Sequence, residues 1–304
     1  MFSFRAAQIR PVIESAQNNN LKLIRGLQRT KRKREKQGKI VLEGFKLLKE
    51  CLDVGLAPSQ VLFSSDIVDT SKGVEAIELV ERAGAQILVA KDNLVKECCE
   101  TKNPQGVLSI ISKPELHFPQ HPSLLLILDN LNDPGNMGTL IRTAASVGVE
   151  GVILLGNCCD PWSSKALRSS MGSIFRVPLK HNSNIRDFQS EYKSSSAGLM
   201  KIYAADGYQE KKYYDIDWKQ PSALIVGSEA SGLHPDIRAQ MANCGRGGEE
   251  KRSKGDEQED LVVEGISIPL FNGVESLNAG VAGSIILGEV LRQRNQQQER
   301  EKEK

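Results

Sequence analysis

LLLILDNLNDPGNMGTLIRTAASVG, residues 124 to 148, decides how the second half of the chain folds. Leu124, Leu125, Leu126, Ile127 and Leu128 form an apolar run with no polar alternation, the pattern of a strand buried on both faces. The run stops at Asp129, a polar turn carries Pro134, Gly135 and Gly138, and helical spacing takes over through TLIRTAASVG. Downstream, GVILL (151–155), KIYAA (201–205), ALIV (223–226) and ISIPL (266–270) are runs of the same kind, with helical stretches between them. The alternation predicts a parallel sheet covered by helices on both sides, a doubly wound α/β domain.

In such folds ligands bind outside the carboxyl ends of the strands, so the strand exits take priority. Three are polar or glycine-rich. The first leads from Asp129 through Asn136 into a helix that carries Arg142. The second is GSEASGL (227–233), with Glu229 between small residues, and the third is NGVESLN (272–278), followed by a helix rich in small residues. Taken singly, each is more easily explained as a helix cap or a loop. Neither G-x-G-x-x-G nor G-x-x-x-x-G-K-[ST] occurs at any exit, which argues against a nicotinamide-dependent oxidoreductase and a P-loop nucleotide triphosphatase.

Moving toward the N-terminus, residues 112–123 bring Pro114, Pro119 and Pro122 with little periodicity, as an interdomain linker does. His117 and His121 stand among those prolines, which favours exposed linker histidines over a metal pair. Before the linker, residues 21–111 alternate between a basic helix, KIVLEG, a helix through Phe45 and Leu48, QVLF, a helix through Ile77 and Val80, QILV and GVLSII. This predicts a smaller α/β domain over 21–112, with 124–294 as the second domain. The 304 residues are enough for two cores of ordinary size.

Net charge is only +2, but Arg29, Lys31, Arg32, Lys33 and Arg34 crowd one stretch with Lys22, Arg25, Lys36 and Lys39 around them. Such a block attracts a polyanion through counterion release, so nucleic acid is the first partner to consider; a solvated or targeting segment is the alternative. The cysteines lack zinc-knuckle spacing and suit a reduced intracellular compartment. No apolar run is long enough for a membrane span. MFSFRAAQIR has two arginines and no acid, which fits a short transit segment as well as a plain extension in residues 1–20, and leaves the cytoplasm, a mitochondrion and a chloroplast open. GRGGEEKRSKGDEQED, at about 244–260, is expected to be a disordered insertion, and 295–304 a disordered tail.

Together the three exits resemble the signature motifs of the SpoU family of RNA methyltransferases in the SPOUT superfamily. The match is to N-x-x-D-P-G-N-x-G-x-x-x-R-T-A from Asn130 to Ala144, G-x-E-x-x-G-L from Gly227 to Leu233, and I-P-x-x-x-x-x-E-S-L-N from Ile268 to Asn278. Their order is the family's order. The basic helix, VLEGFKLLKE and KNPQGVLSI resemble the L30e-like substrate-binding domain that many members carry in front.

The resemblance implies a trefoil-knotted catalytic domain, a homodimer with the active site near the subunit interface, and S-adenosyl-L-methionine as cofactor. It implies that backbone around Gly227, Ile268 and Leu277 holds that cofactor, and that Asn136, Arg142, Glu229, Ser276 and Asn278 surround the reacting ribose. The stretch KALRSSMG, with Arg168, is similar to a family segment that would touch RNA; a solvated helix face is the alternative. Methyl transfer to a ribose hydroxyl requires in-line alignment and removal of a proton. An arginine stays protonated, so Arg142 suits a phosphate clamp beside the target ribose that polarises the hydroxyl or passes its proton to the phosphate. Glu229 reads as a general base or as the holder of a loop. Ribosomal RNA, with a guanosine target, is expected ahead of transfer RNA. A noncatalytic RNA-binding or ribosome-assembly protein on the same scaffold is the rival reading, which intact Asn136, Arg142, Glu229, Ser276 and Asn278 oppose.

Overall fold

Alternating apolar runs and amphipathic stretches in the first hundred residues become a five-stranded sheet with helices against it. The structure, a computed structural model, describes residues 11–193, 200–229, 232–245 and 262–302. Its contacts divide the chain into two units, Met1–Glu115 with Trp162–Phe175, and Leu116–Pro161 with Arg176–Lys304.

In the first unit the elements run β1 (Val12–Ile13), α1 (Asn19–Arg29), α2 (Lys31–Gln37), β2 (Lys39–Glu43), α3 (Phe45–Asp53), β3 (Gln60–Ser64), α4 (Ser71–Arg82), β4 (Gln86–Ala90), α5 (Asp92–Lys96) and β5 (Val107–Ser112). The sheet order is β1-β4-β3-β5-β2. β1, β4 and β3 are parallel, whereas β5 is antiparallel to β3 and β2. Leu21, Ile24 and Leu27 recur at helical spacing along α1 and are buried with Val41, Leu62, Leu108 and Ile110 of the sheet. The side chain of Asn18 caps α1 by accepting from the Asn20 amide at 2.9 Å.

Two features of this unit differ from expectation. Val12 and Ile13 belong to the sheet through parallel pairing with Val89 and Ala90, so the extension expected over 1–20 ends earlier; residues 1–10, with the transit-segment reading, lie outside the described residues. Trp162–Phe175, expected in the second domain, groups with the first unit. The reason is polar: Arg168 of α7 (Ser164–Ser170) sits 3.5 Å from Glu43, whose side chain is only 4% exposed. In addition, Lys113 Nζ lies 5.8 Å from the centre of the Trp162 ring.

The second unit holds β6 (Leu124–Asp129), α6 (Pro134–Ser146), β7 (Gly151–Leu155), β8 (Leu179–Asn182), α8 (Ile185–Lys193), β9 (Lys201–Ala205), β10 (Ser222–Gly227), α9 (Pro235–Gly245), β11 (Val263–Ile266) and α10 (Ala279–Lys302). All six strands are parallel, in the order β11-β9-β10-β6-β7-β8. Every residue of β6 is buried, as its unalternating sequence requires. Leu125, Ile127, Ala223 and Ile225 face a core with Ile185 and Phe188 of α8 and Ile237 and Met241 of α9. On the opposite face α6 and α10 pair, joined by a 2.9 Å hydrogen bond between the hydroxyls of Thr143 and Ser284.

That pairing needs Gly283, where a Cβ would lie 2.5 Å from Leu140 Cδ2 and 3.1 Å from Val226 Cγ2. Gly283→Val is expected to cost about 1–3 kcal/mol through overpacking, read as a lower thermal midpoint at unchanged secondary structure.

Two boundaries differ from expectation. The last strand is Val263–Ile266 rather than 266–270, because Pro269 has no amide for a ladder and Ser267 makes only an isolated bridge with Lys212. The tail expected from 295 is helical to Lys302. Arg294 anchors α10 by donating to the carbonyls of Trp218 and Ser123, and Arg292 bonds Glu289 and Gln296 one turn either way. The Glu, Gln, Lys and Arg that follow are good helix formers. Of the insertion expected at about 244–260, Cys244 and Gly245 end α9, and the rest lies outside the described residues. No described helix is long and apolar enough to cross a membrane.

Candidate active site

The strand order places β6 between β10 and β7, so the chain changes direction at the β6–β10 boundary. In open α/β sheets ligands bind at the carboxyl ends of the strands that flank such a switch point. Asp129 and Gly227 are paired there in register. All three polar exits reach this region.

α6 starts with Asp133 as its cap, accepting from the Asn136 amide at 2.9 Å, and with Pro134 in the first turn, where a missing amide is tolerated. This holds Asn136 near the carboxyl end of β6, where its side-chain amide donates to Glu229 Oε1 at 2.7 Å. α10 is capped by Asn278, whose Oδ1 accepts from the Val281 amide at 3.1 Å. The Asn278 Nδ2 donates to Asn136 Oδ1 at 3.0 Å and also reaches Glu229 Oε1. The Ala279 amide adds a third donor to that oxygen at 3.0 Å. A Cβ at Gly280 would stand 3.1 Å from the Oδ1 atoms of both Asn136 and Asn278, so the glycine lets α10 start against them.

Glu229 Oε1 is thus shared by the first and third loops while its backbone belongs to the second. An oxygen that accepts from Asn136, Asn278 and Ala279 has no lone pair free for a substrate proton. Through Oε1 the Glu229 carboxylate ties the three loops together, while its second oxygen keeps lone pairs of its own.

The two ends of the second exit, Gly227–Ser228 and Gly232–Leu233, come close for a physical reason. Ser228 and Gly232 exchange backbone bonds of 3.1 and 2.7 Å, and a Cβ at Gly227 would lie 2.7 Å from the Gly232 carbonyl oxygen. Gly232 has φ +65°, a conformation that favours glycine. Ala230 and Ser231 lie outside the described residues. Ile268 and Leu277 are half-buried on the loop between β11 and α10, and Phe271 is exposed.

Arg142 and Ser276 stand apart from this cluster. Arg142 follows Asn136 by six positions, about 9 Å along the helix axis and about 120° around it. Its side chain is exposed and makes no hydrogen bond or ion pair with a described residue, and the same holds for the side chain of Ser276. Asp129 and His234 lie outside the three motifs, and Asn130, which opens the first of them, carried no assigned role. The one signal was a carboxylate ending an otherwise apolar buried strand.

The basic block also divides. Arg29, Lys31 and Arg32 are exposed, with Lys31 3.8 Å from Glu35. Lys33 is half-buried and donates to the Lys22 carbonyl at 3.3 Å. Arg34, expected to bind RNA, is instead 6% exposed and donates to the carbonyls of Leu27 and Gln28 at 2.6 and 2.9 Å. Those carbonyls end α1, and a cation there satisfies their unpaired oxygens. Arg168 is likewise engaged, donating to Ser164 Oγ at 2.5 Å beside Glu43.

Comparison with known proteins also divides the chain between residues 109 and 123, and keeps residues 162–175 with the second domain. The SpoU rRNA Methylase family model matches residues 123–246, and a model of the MRM3-like substrate binding domain matches residues 18–109. An uncharacterized tRNA/rRNA methyltransferase of Synechocystis sp. is 31% identical over 283 residues, which cover 92% of this chain and 93% of the relative. The human protein named rRNA methyltransferase 3, mitochondrial, is 30% identical across 86% of this chain and 69% of its own length. Among solved structures, an AdoMet-bound rRNA methyltransferase from Sinorhizobium meliloti superposes with a TM-score of 0.72 at 27% identity, covering 93% of this chain and 97% of that one.

Proposed function

The chain belongs to the SpoU rRNA Methylase family, whose members are RNA 2′-O-ribose methyltransferases, and we propose that it methylates a ribose 2′-hydroxyl of ribosomal RNA using S-adenosylmethionine. The observation that carries this reading is the convergence of Asn136, Asn278 and Ala279 on a single oxygen of Glu229. Three loops far apart in sequence have no structural need to share an acceptor at a sheet switch point, where ligands bind.

In this reading the backbone around Gly227, Ile268 and Leu277 holds the cofactor, which supplies a sulfonium-bound methyl group when present. The Glu229 carboxylate fixes Asn136 and Asn278, and through them the distance between cofactor loop and ribose; alignment of this kind supplies much of the rate enhancement in an in-line transfer. The Ser276 hydroxyl is exposed and available to the ribose. Arg142 supplies the phosphate clamp from a second copy of the chain. Support for a homodimer comes from the exposed face of α6 and α10, where Val281 and Ile285 are 47% and 38% exposed and Arg142 has no partner among the described residues.

Arg29, Lys31 and Arg32 of the first unit are the RNA phosphate contacts in this reading. Arg32→Gln is expected to weaken RNA binding and to lower the salt slope by about one, with thermal stability unchanged. Arg34→Gln is expected to do the reverse, because its guanidinium is spent on α1. Equal loss of RNA affinity in both variants would remove this assignment.

The test of the function is incubation of the purified protein with S-adenosylmethionine and separate ribosomal and transfer RNA, followed by mapping of 2′-O-methylated nucleotides. A new ribose methyl group in ribosomal RNA is expected. Methylation of transfer RNA alone would overturn the substrate, and no methylation of either with demonstrated cofactor binding would favour a noncatalytic role.

A further inference from the structure

We propose that Asp129 and Asn130 are positioning residues that set cofactor affinity by locking the two ends of the second exit, Gly227 and Gly232–His234, to the exits of β6 and β7. The inference rests on the assignment of that second exit to S-adenosylmethionine.

Asp129 ends β6, is 1% exposed, and is in register with Gly227 of β10 on one side and Leu155 of β7 on the other. Its Oδ2 accepts from the His234 amide at 2.6 Å, two residues beyond Gly232. Its Oδ1 accepts from Asn130 Nδ2 at 2.8 Å, and Asn130 Oδ1 in turn accepts from the Asn157 amide at 3.0 Å in the loop after β7. One carboxylate and one carboxamide therefore form a chain of hydrogen bonds across three strand exits.

The backbone is shaped to keep that chain. Asn130 is held at φ 49°, and Gly156 at φ +59° leaves room beneath it, since a Cβ there would lie 2.5 Å from Asn130 Oδ1. Below the pair, the Cys158 thiol is 3.3 Å from the carbonyls of Leu128 and Leu155 and accepts from the Leu131 amide at the same distance. Burial pushes the Asp129 carboxyl above its ordinary range, opposed by the His234 amide. A buried carboxylate is costly, and a strand end needing only stability would be served as well by an apolar residue. What Asp129 contributes is a fixed position for His234, and with it the approach of the two ends of the second exit.

The roles of the two side chains can be exchanged. In Asp129→Asn the new amide nitrogen faces the Asn130 amide nitrogen, donor against donor; in Asn130→Asp two carboxylates face each other. The double variant D129N/N130D restores one donor facing one acceptor, with the direction of donation reversed. The amide now at position 129 donates to the carboxylate now at position 130, while the His234 and Asn157 amides both keep acceptors.

Dissociation constants for S-adenosylmethionine are measured by titration calorimetry on the full chain, with thermal melting without cofactor as the control for folding, and Michaelis constants for cofactor and RNA are measured alongside. Each single variant is expected to bind at least tenfold more weakly, with the cofactor KM raised and the RNA KM unchanged, and the double variant to return within threefold of wild type. Single variants that are folded and bind as wild type overturn the inference, as does a folded double variant no better than either single. Were a single variant unable to fold, rescue of folding and of binding by the second substitution would support the same hydrogen-bond chain, and its failure would overturn it. Wild-type protein that does not bind S-adenosylmethionine would instead overturn the assignment of the second exit.

Discussion

Mixing subunits that carry Arg142→Ala with subunits that carry Glu229→Ala is expected to return about a quarter of wild-type methylation from two preparations that are each nearly inactive. Alone, Arg142→Ala removes a guanidinium that would stabilise charge on the phosphate and hydroxyl of the substrate, and loss of such a group costs about 10²–10³-fold in turnover. Arg142→Lys keeps the charge but not the bidentate fork, and is expected to retain less than about a tenth of the activity; full turnover in that variant would remove the clamp. The mixing experiment asks where the arginine acts. In one chain, Arg142 lies on the exposed face of α6, a third of a helical turn around from Asn136 and on the order of 9 Å beyond it. If Arg142 completes the Glu229 cluster of a second copy, random exchange makes about half the dimers mixed, and each mixed dimer has one site with both residues intact. A site built within one chain leaves a defect in every site of a mixed dimer, so no recovery after exchange would place Arg142 and Glu229 on the same subunit.

The second large effect is expected at Glu229. Removing its carboxylate in Glu229→Ala leaves the side-chain amides of Asn136 and Asn278 and the backbone amide of Ala279 without their common acceptor. Each such bond contributes about 1 kcal/mol net, and their joint loss frees three loops at once, so kcat/KM is expected to fall by about 10²-fold or more. Glu229→Gln separates the organiser from the base. Its amide oxygen can take the Oε1 position, so an organising role predicts a moderate loss in which cofactor affinity and turnover fall together. A base predicts ordinary cofactor affinity with turnover abolished. Calorimetry with S-adenosylmethionine and initial rates on RNA distinguish the two.

Much of the fold was legible because burial writes itself into sequence. The runs at 124–128, 151–155, 201–205 and 223–226 become β6, β7, β9 and β10, each buried over most of its length. β8 escaped notice for the same reason: Leu179–Asn182 is a half-exposed edge strand with a polar sequence that carries no apolar run. β11 was displaced because ISIPL looks like a strand by composition, yet its proline cannot pair and the ladder is made by Val263–Ile266 just upstream. Among basic residues, charge density marked the block at 29–34 but could not separate Arg32, exposed on α2, from Arg34, turned inward beneath α1. That difference is a matter of helical phase and of which carbonyls lie within reach.

The sequence by itself determined a doubly wound domain behind a smaller α/β domain, three polar strand exits, and motifs in the order of one methyltransferase family. These follow from local patterns, since apolar periodicity and turn residues report how each segment must be buried or bent. Only the tertiary structure decided that Asn136, Asn278 and Ala279 share Glu229 Oε1 as one acceptor, that Arg142 stands apart from them, and that Asp129 reaches His234. Such bonds span 49 to 142 residues of chain. They exist because the strand order sets β10 against β6 and returns α10 over α6, a choice of crossovers that no single segment encodes.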